Sequence, residues 1–214
     1  MTYISEFMQG FENAIFASDG RDPKTGKHYS EFVDFDSLVL KYMLEEISMN
    51  VDGNGSSQYY VKPSDSVSTV AYAGPCWDYD QTFAGFAANT YRERFLDAKS
   101  LPVAKVNREN HYWWPELYVK EDFLAGVKQA WSGKYSHAMR ILLGEETDGS
   151  GLLLSVTQYA EEIRESAAMN YLRWPPKGAN AKRTGMTFDA NITFLTNILQ
   201  TRYTYLEKTW GTDK

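Results

Sequence analysis

Gly74-Pro75-Cys76-Trp77-Asp78-Tyr79-Asp80 sets two carboxylates one residue apart, behind a Gly-Pro turn and a tryptophan. The segments before it, Gln58 to Lys62 and Ser68 to Ala73, are rich in Tyr, Val and Thr. Pro63-Ser64-Asp65-Ser66 separates them, so the spacing predicts a β-hairpin. A second acidic turn, Asn50-Val51-Asp52-Gly53-Asn54-Gly55, precedes the hairpin. Helix, acidic turn, hairpin and acidic turn thus read as one unit. The question it poses is whether the carboxylates share a site or close two separate loops.

Upstream, Asp34 precedes Leu38, Val39, Tyr42, Met43 and Ile47 at helical spacing. Asp34 is placed to cap that helix, and Asp36 lies in the first turn, where the dipole favours a negative charge. The helix is expected to stop near Met49. Ile4, Phe7, Met8, Phe11 and Ile15 predict an earlier amphipathic helix over residues 3–17, followed by a polar loop from Ser18 to Ser30. Downstream the chain reads as helical. Residues 84–98 carry a weaker helical pattern, and Leu101 to Val119 reads as irregular around the ring cluster Tyr112-Trp113-Trp114. Helices are expected from Phe123 to near Gly133, from Tyr135 to Leu143, from Leu152 to Tyr171, and from Asp189 to Trp210. Pro175 to Met186 reads as a polar, basic loop. The expectation is a mainly α fold with a small β-hairpin (α+β), as one domain over residues 1–214.

Composition narrows the function classes. The chain has 214 residues, 43% hydrophobic and 23% charged, which is an ordinary globular balance. Its net charge of -6 argues against a nucleic-acid surface. No apolar run is long enough to span a bilayer, and the first residues show no signal peptide. Cys76 is the only cysteine, so intrachain disulfides are excluded without fixing the compartment. An aromatic share of 15% means either a ring-rich core or a stacking surface.

No Gly-rich phosphate loop and no nucleophile elbow occur. His28, His111 and His137 are scattered, which disfavours a zinc site. Asp52-x-Asn54-x-Ser56 opens like a calcium loop but lacks its later glycine and glutamate. Asp78 follows Asp52 by 78 − 52 = 26 residues, across the hairpin. Protein kinases use this order: an aspartate after a helix orients the acceptor hydroxyl, and a second one beyond two short strands holds magnesium against the phosphates. The blander readings stand beside it. Asp52 is then a turn residue, Asp78 and Asp80 cap a following helix, and Trp77 is core.

The runs Phe32 to Ser37, Leu44 to Asp52 and Ala73 to Asp80 resemble the CotH family. These are spore coat protein H and its relatives, atypical secreted or spore-associated protein kinases. Glu46, Asn50, Asp52, Gly74, Pro75, Trp77, Asp78 and Asp80 match the family pattern. Glu45 stands where the family often has Asn, and Tyr79 where it has Phe. Arg173-Trp174-Pro175 and a last helix with Arg202, Tyr203, Leu206 and Trp210 are also similar.

The resemblance implies the helical carboxy-terminal lobe of a kinase-like fold, with the lobe that holds the nucleotide expected before residue 1. It implies Asp52 as the catalytic aspartate, and Asp78 and Asp80 as ligands of Mg2+, with Mn2+ as an alternative. ATP is then the co-substrate and a secreted, cell-surface or spore-coat protein the acceptor, with no nucleic-acid or membrane partner. It leaves the nucleotide-contacting residues and the oligomeric state open. On this view the 214 residues alone bind ATP weakly. The alternative is a non-catalytic surface module whose rings Tyr112-Trp113-Trp114 bind a protein or a glycan.

Overall fold

Asp34 starts the helix around which the hairpin and both acidic turns are arranged. In the computed structural model, which describes residues 2–86, 92–105, 112–178 and 185–211, the Asp34 carboxylate accepts from Ser37 N at 2.8 Å and opens α2 (Phe35–Ser48). Helix α2 ends where Met49 turns left-handed, at φ 53°. Nine of the 14 residues of α2 are buried, including the polar Lys41, Glu45, Glu46 and Ser48. The earlier helix is α1 (Thr2–Phe16), which buries Gly10, Phe11, Ala14 and Ile15.

The hairpin is present but short: β1 (Tyr60–Val61) pairs antiparallel with β2 (Tyr72–Ala73), in the register Tyr60↔Ala73 and Val61↔Tyr72. The start of α2 holds it in place. Asp34 N donates to Ala71 O at 2.8 Å, and Ala73 N donates to Ser37 Oγ at 3.1 Å. The architecture among the described residues is therefore mainly helical with a two-stranded antiparallel sheet.

The chain divides into two compact units, residues 1–80 with 101–129, and residues 81–100 with 130–214. In the first, the stretch read as irregular contains α3 (Trp113–Tyr118), followed by α4 (Glu121–Ala130). The rings of α3 account for that helix: tertiary packing overrides weak local periodicity. Trp113 meets Phe11 at 5.2 Å and Tyr60 at 5.6 Å between ring centroids, and Trp114 meets Tyr42 at 5.8 Å. Trp114 Nε1 donates to Gly53 O and Trp113 Nε1 to Glu12. Burying such a ring stabilises by roughly 2–3 kcal/mol.

In the second unit, a π-helical turn, Trp131–Tyr135, leads directly into α5 (Ser136–Leu142), so there is no stop near Gly133. The expected long helix is instead two. α6 (Val156–Glu162) starts at a capping box in which Ser155 and Gln158 satisfy each other's backbone, and α7 (Arg164–Arg173) follows. The cap outweighs the apolar pattern that began at Leu152, which is exposed. Of the weak pattern over 84–98, the described part forms only a 3-10 turn, Glu93–Leu96; residues 87–91 lie outside the described residues. The last helix, α8 (Phe188–Trp210), buries Leu199, Arg202, Leu206 and Trp210. Trp131 Nε1 donates to Glu207 at 2.7 Å, and Arg202 donates to the carbonyls of Ala98 and Ser100. Among the described residues no helix is long and apolar enough to cross a membrane.

A candidate three-carboxylate cation site

Asn50 shapes the first acidic turn. Directly after the left-handed Met49, its backbone N–H returns to Glu45 O at 3.0 Å and its side-chain Nδ2 donates to Glu45 Oε2 at 2.7 Å. Its Oδ1 accepts from Asp52 N at 3.2 Å, capping the 3-10 turn Val51–Asn54. Gly53 follows, with its backbone pressed on Glu45: a Cβ there would lie 2.9 Å from Glu45 Oε2. Asp52 is left half-buried.

The second turn begins at Gly74, whose φ of 135° suits glycine and whose peptide bond to Pro75 is cis. Gly74 N donates to Tyr59 O at 2.8 Å, closing the hairpin. Trp77 is 59% exposed and meets Tyr59 edge-on, so it is not a core residue. Asp78 has left-handed backbone at φ 62° and accepts from Ser57 Oγ at 3.4 Å. No helix starts over residues 81–86, so neither Asp78 nor Asp80 acts as a helix cap. Cys76 is a free, exposed thiol.

These turns bring the three sequence-predicted residues together. One carboxylate oxygen from each of Asp52, Asp78 and Asp80 lies within 4.8 Å of the others. At that spacing, two ionised carboxylates repel by about 1 kcal/mol in bulk water and about 3 kcal/mol at a protein surface. Oxygen-only donors at close quarters suit a hard cation such as Mg2+ or Mn2+ and do not suit zinc. The donor set therefore fits the cation that the resemblance implies.

Beneath the cluster lies a polar network that the sequence reading did not identify. Lys41 Nζ pairs with Glu45 Oε1 at 2.6 Å, with both side chains at 2% exposure or less. Tyr79 OH donates to the same Oε1 at 2.8 Å and accepts from Lys41 Nζ at 3.2 Å. Burial, then the Glu45 charge and hydrogen bond, push the Tyr79 hydroxyl well up, so it stays protonated. The adjacent Glu46 faces another way, accepting from the backbone of Val103 and Ala104. The i, i+4 spacing of Lys41 and Glu45 was the one available signal for the pair.

Beside the Asp52 turn, Asn54, Gly55, Gln58, Tyr112, Trp113 and Trp114 line a cavity of ≈ 160 Å³. The tryptophans of that ring cluster pack inward, Trp114 fully and Trp113 in part. His111 lies outside the described residues.

A carboxylate after a helix, a hairpin, then a second carboxylate turn is the order of elements used by protein-kinase-like domains. Residues 1–206 match the family model described as CotH kinase protein, and the chain belongs to that family. No curated protein matches the chain, and no solved structure does.

Proposed function

We propose that this chain carries the cation- and acceptor-binding side of an atypical protein kinase site. The reaction is transfer of the ATP γ-phosphate to a Ser or Thr hydroxyl of a secreted or spore-coat protein. The convergence of Asp52, Asp78 and Asp80 within 4.8 Å carries the reading, and family membership supports it. Asp52, half-buried after α2, takes the acceptor side: its carboxylate orients the hydroxyl and receives its proton as the oxygen bonds to the γ-phosphorus and the bond to the β-phosphate oxygen breaks, with ADP leaving. Asp78 and Asp80 are the cation ligands, exposed on the second turn. A bound Mg2+ or Mn2+ supplies neutralisation of phosphate charge.

The test is Asp78→Ala in the intact protein, assayed for Mg2+-dependent transfer of labelled phosphate from ATP to a Ser/Thr-containing acceptor. Transfer is expected to be abolished with the melting temperature preserved. Undiminished transfer would remove Asp78 from the cation role.

A further inference from the structure

We propose that Glu45 is a positioning residue for the three-carboxylate site, gripping both acidic turns at once through Asn50 and Tyr79. The inference rests on the reading of Asp52, Asp78 and Asp80 as cation ligands.

The geometry is that of one buried carboxylate with two arms. Glu45 is 1% exposed. Its Oε2 accepts from Asn50 Nδ2 at 2.7 Å, and the same Asn50 side chain accepts from the Asp52 N–H. Its Oε1 accepts from Tyr79 OH at 2.8 Å, and Tyr79 is the residue between Asp78 and Asp80. Asp52 and the Asp78–Asp80 pair are thereby referred to the same turn of α2, although they lie on opposite sides of the hairpin.

Such a fastening answers a physical need. Three ionised carboxylates tend to spread before a cation arrives, and a cation site assembled only on binding loses affinity to that reorganisation. Asp78 also holds a left-handed backbone, which a non-glycine residue keeps only where its surroundings determine it. Tyr79, the next residue, is the one tied down. Lys41 completes the device. Paired with Glu45 at 2.6 Å, it prevents the anchor from adding an uncompensated negative charge beneath the cluster.

A network that only stabilised the fold would act on melting and not on cation affinity. The experiment measures both on the 214-residue chain. Mn2+ binding is followed by the electron paramagnetic resonance of free Mn2+, and melting is recorded without metal. The variants are Asp78→Asn, Tyr79→Phe, Glu45→Leu and the double variant of the last two. Asp78→Asn is expected to lose Mn2+ binding. Tyr79→Phe, which removes one oxygen and keeps the ring, is expected to weaken Mn2+ binding about tenfold at an almost unchanged metal-free melting temperature. In the Glu45→Leu background, where no acceptor remains, the Tyr79→Phe change is expected to add less than about twofold, because the arm is already cut. Glu45→Leu leaves Lys41 buried without its counter-charge, so if that variant does not fold, Tyr79→Phe alone decides.

Wild-type affinity in Tyr79→Phe, with binding lost in Asp78→Asn, would overturn the positioning role and leave the cation site standing. Mn2+ binding absent from the wild type, or indifferent to Asp78→Asn, would overturn the cation reading and the positioning role with it.

Discussion

Asp52-Gly53-Asn54-Gly55 and Asp148-Gly149-Ser150-Gly151 are nearly the same tetrapeptide, both aspartates are half-buried, and the two turns use them in opposite ways. Asp148 spends its carboxylate on its own loop. Oδ1 accepts from Ser150 N at 3.0 Å and Gly151 N at 2.7 Å, and Oδ2 accepts from Ser150 Oγ at 2.5 Å and Leu153 N at 3.0 Å. In the other turn the capping is done by Asn50, two residues earlier. Among the described residues the Asp52 carboxylate accepts no hydrogen bond, and it meets Asp78 and Asp80 instead. An aspartate in a Gly-rich turn is therefore structural or available according to whether a neighbour supplies the cap, and the tetrapeptide itself does not decide.

The sharpest way to break the contrast is to exchange each carboxylate for its amide. On the proposed reading, Asp52→Asn lowers phosphate transfer by about 10²- to 10⁴-fold with little change in melting temperature. Asp148→Asn leaves transfer unchanged. Equal losses in the two variants, measured with labelled ATP under the same conditions, would show that the turns do not differ in function.

A smaller effect falls on stability. Asn50→Ala strips the cap from the Asp52 turn and leaves a Glu45 oxygen without its donor. Removing one partner of a buried, charged hydrogen bond costs about 1–3 kcal/mol, read as a lower urea midpoint at unchanged slope. A change within about 0.5 kcal/mol, the usual range for surface positions, would mean that Asn50 is not what holds the turn.

The parts that the sequence made legible are the locally encoded ones. Asp34 caps α2 and Met49 ends it, because capping and the run of turn residues act within a few positions. The hairpin followed from residue type and spacing. The two α3 tryptophans were visible only as a ring cluster, since what makes them helical is their contact with Phe11, Tyr60 and Tyr42. The break at Ile163 between α6 and α7 has no proline or glycine to announce it. At the site, Asp52 and Asp78 were suggested by their order along the chain, and the family resemblance added Asp80. Glu45 and Tyr79 stood out only as departures from the family pattern. The structure shows the two departures bonded to each other at 2.8 Å, a pairing across 34 residues that no local signal encodes.

The smallest effect tests the Asp148 half of the comparison through pH. Its four donors hold the carboxyl at about 2, below its ordinary value of 3.8. A depressed carboxyl contributes stability in full above its unfolded value, and loses it as pH falls from there toward the folded value. Asn at this position resembles the protonated acid in shape and lacks the charge. The melting-temperature gap between wild type and Asp148→Asn should thus be widest above about pH 4 and narrow steadily toward pH 2. A gap that stayed constant across that range would mean that the loop needs only the shape of the side chain. The four bonds would then be ordinary neutral-type contacts, and the contrast with Asp52 would lose its electrostatic basis, because Asp148 would no longer be the aspartate whose charge is spent on its own turn.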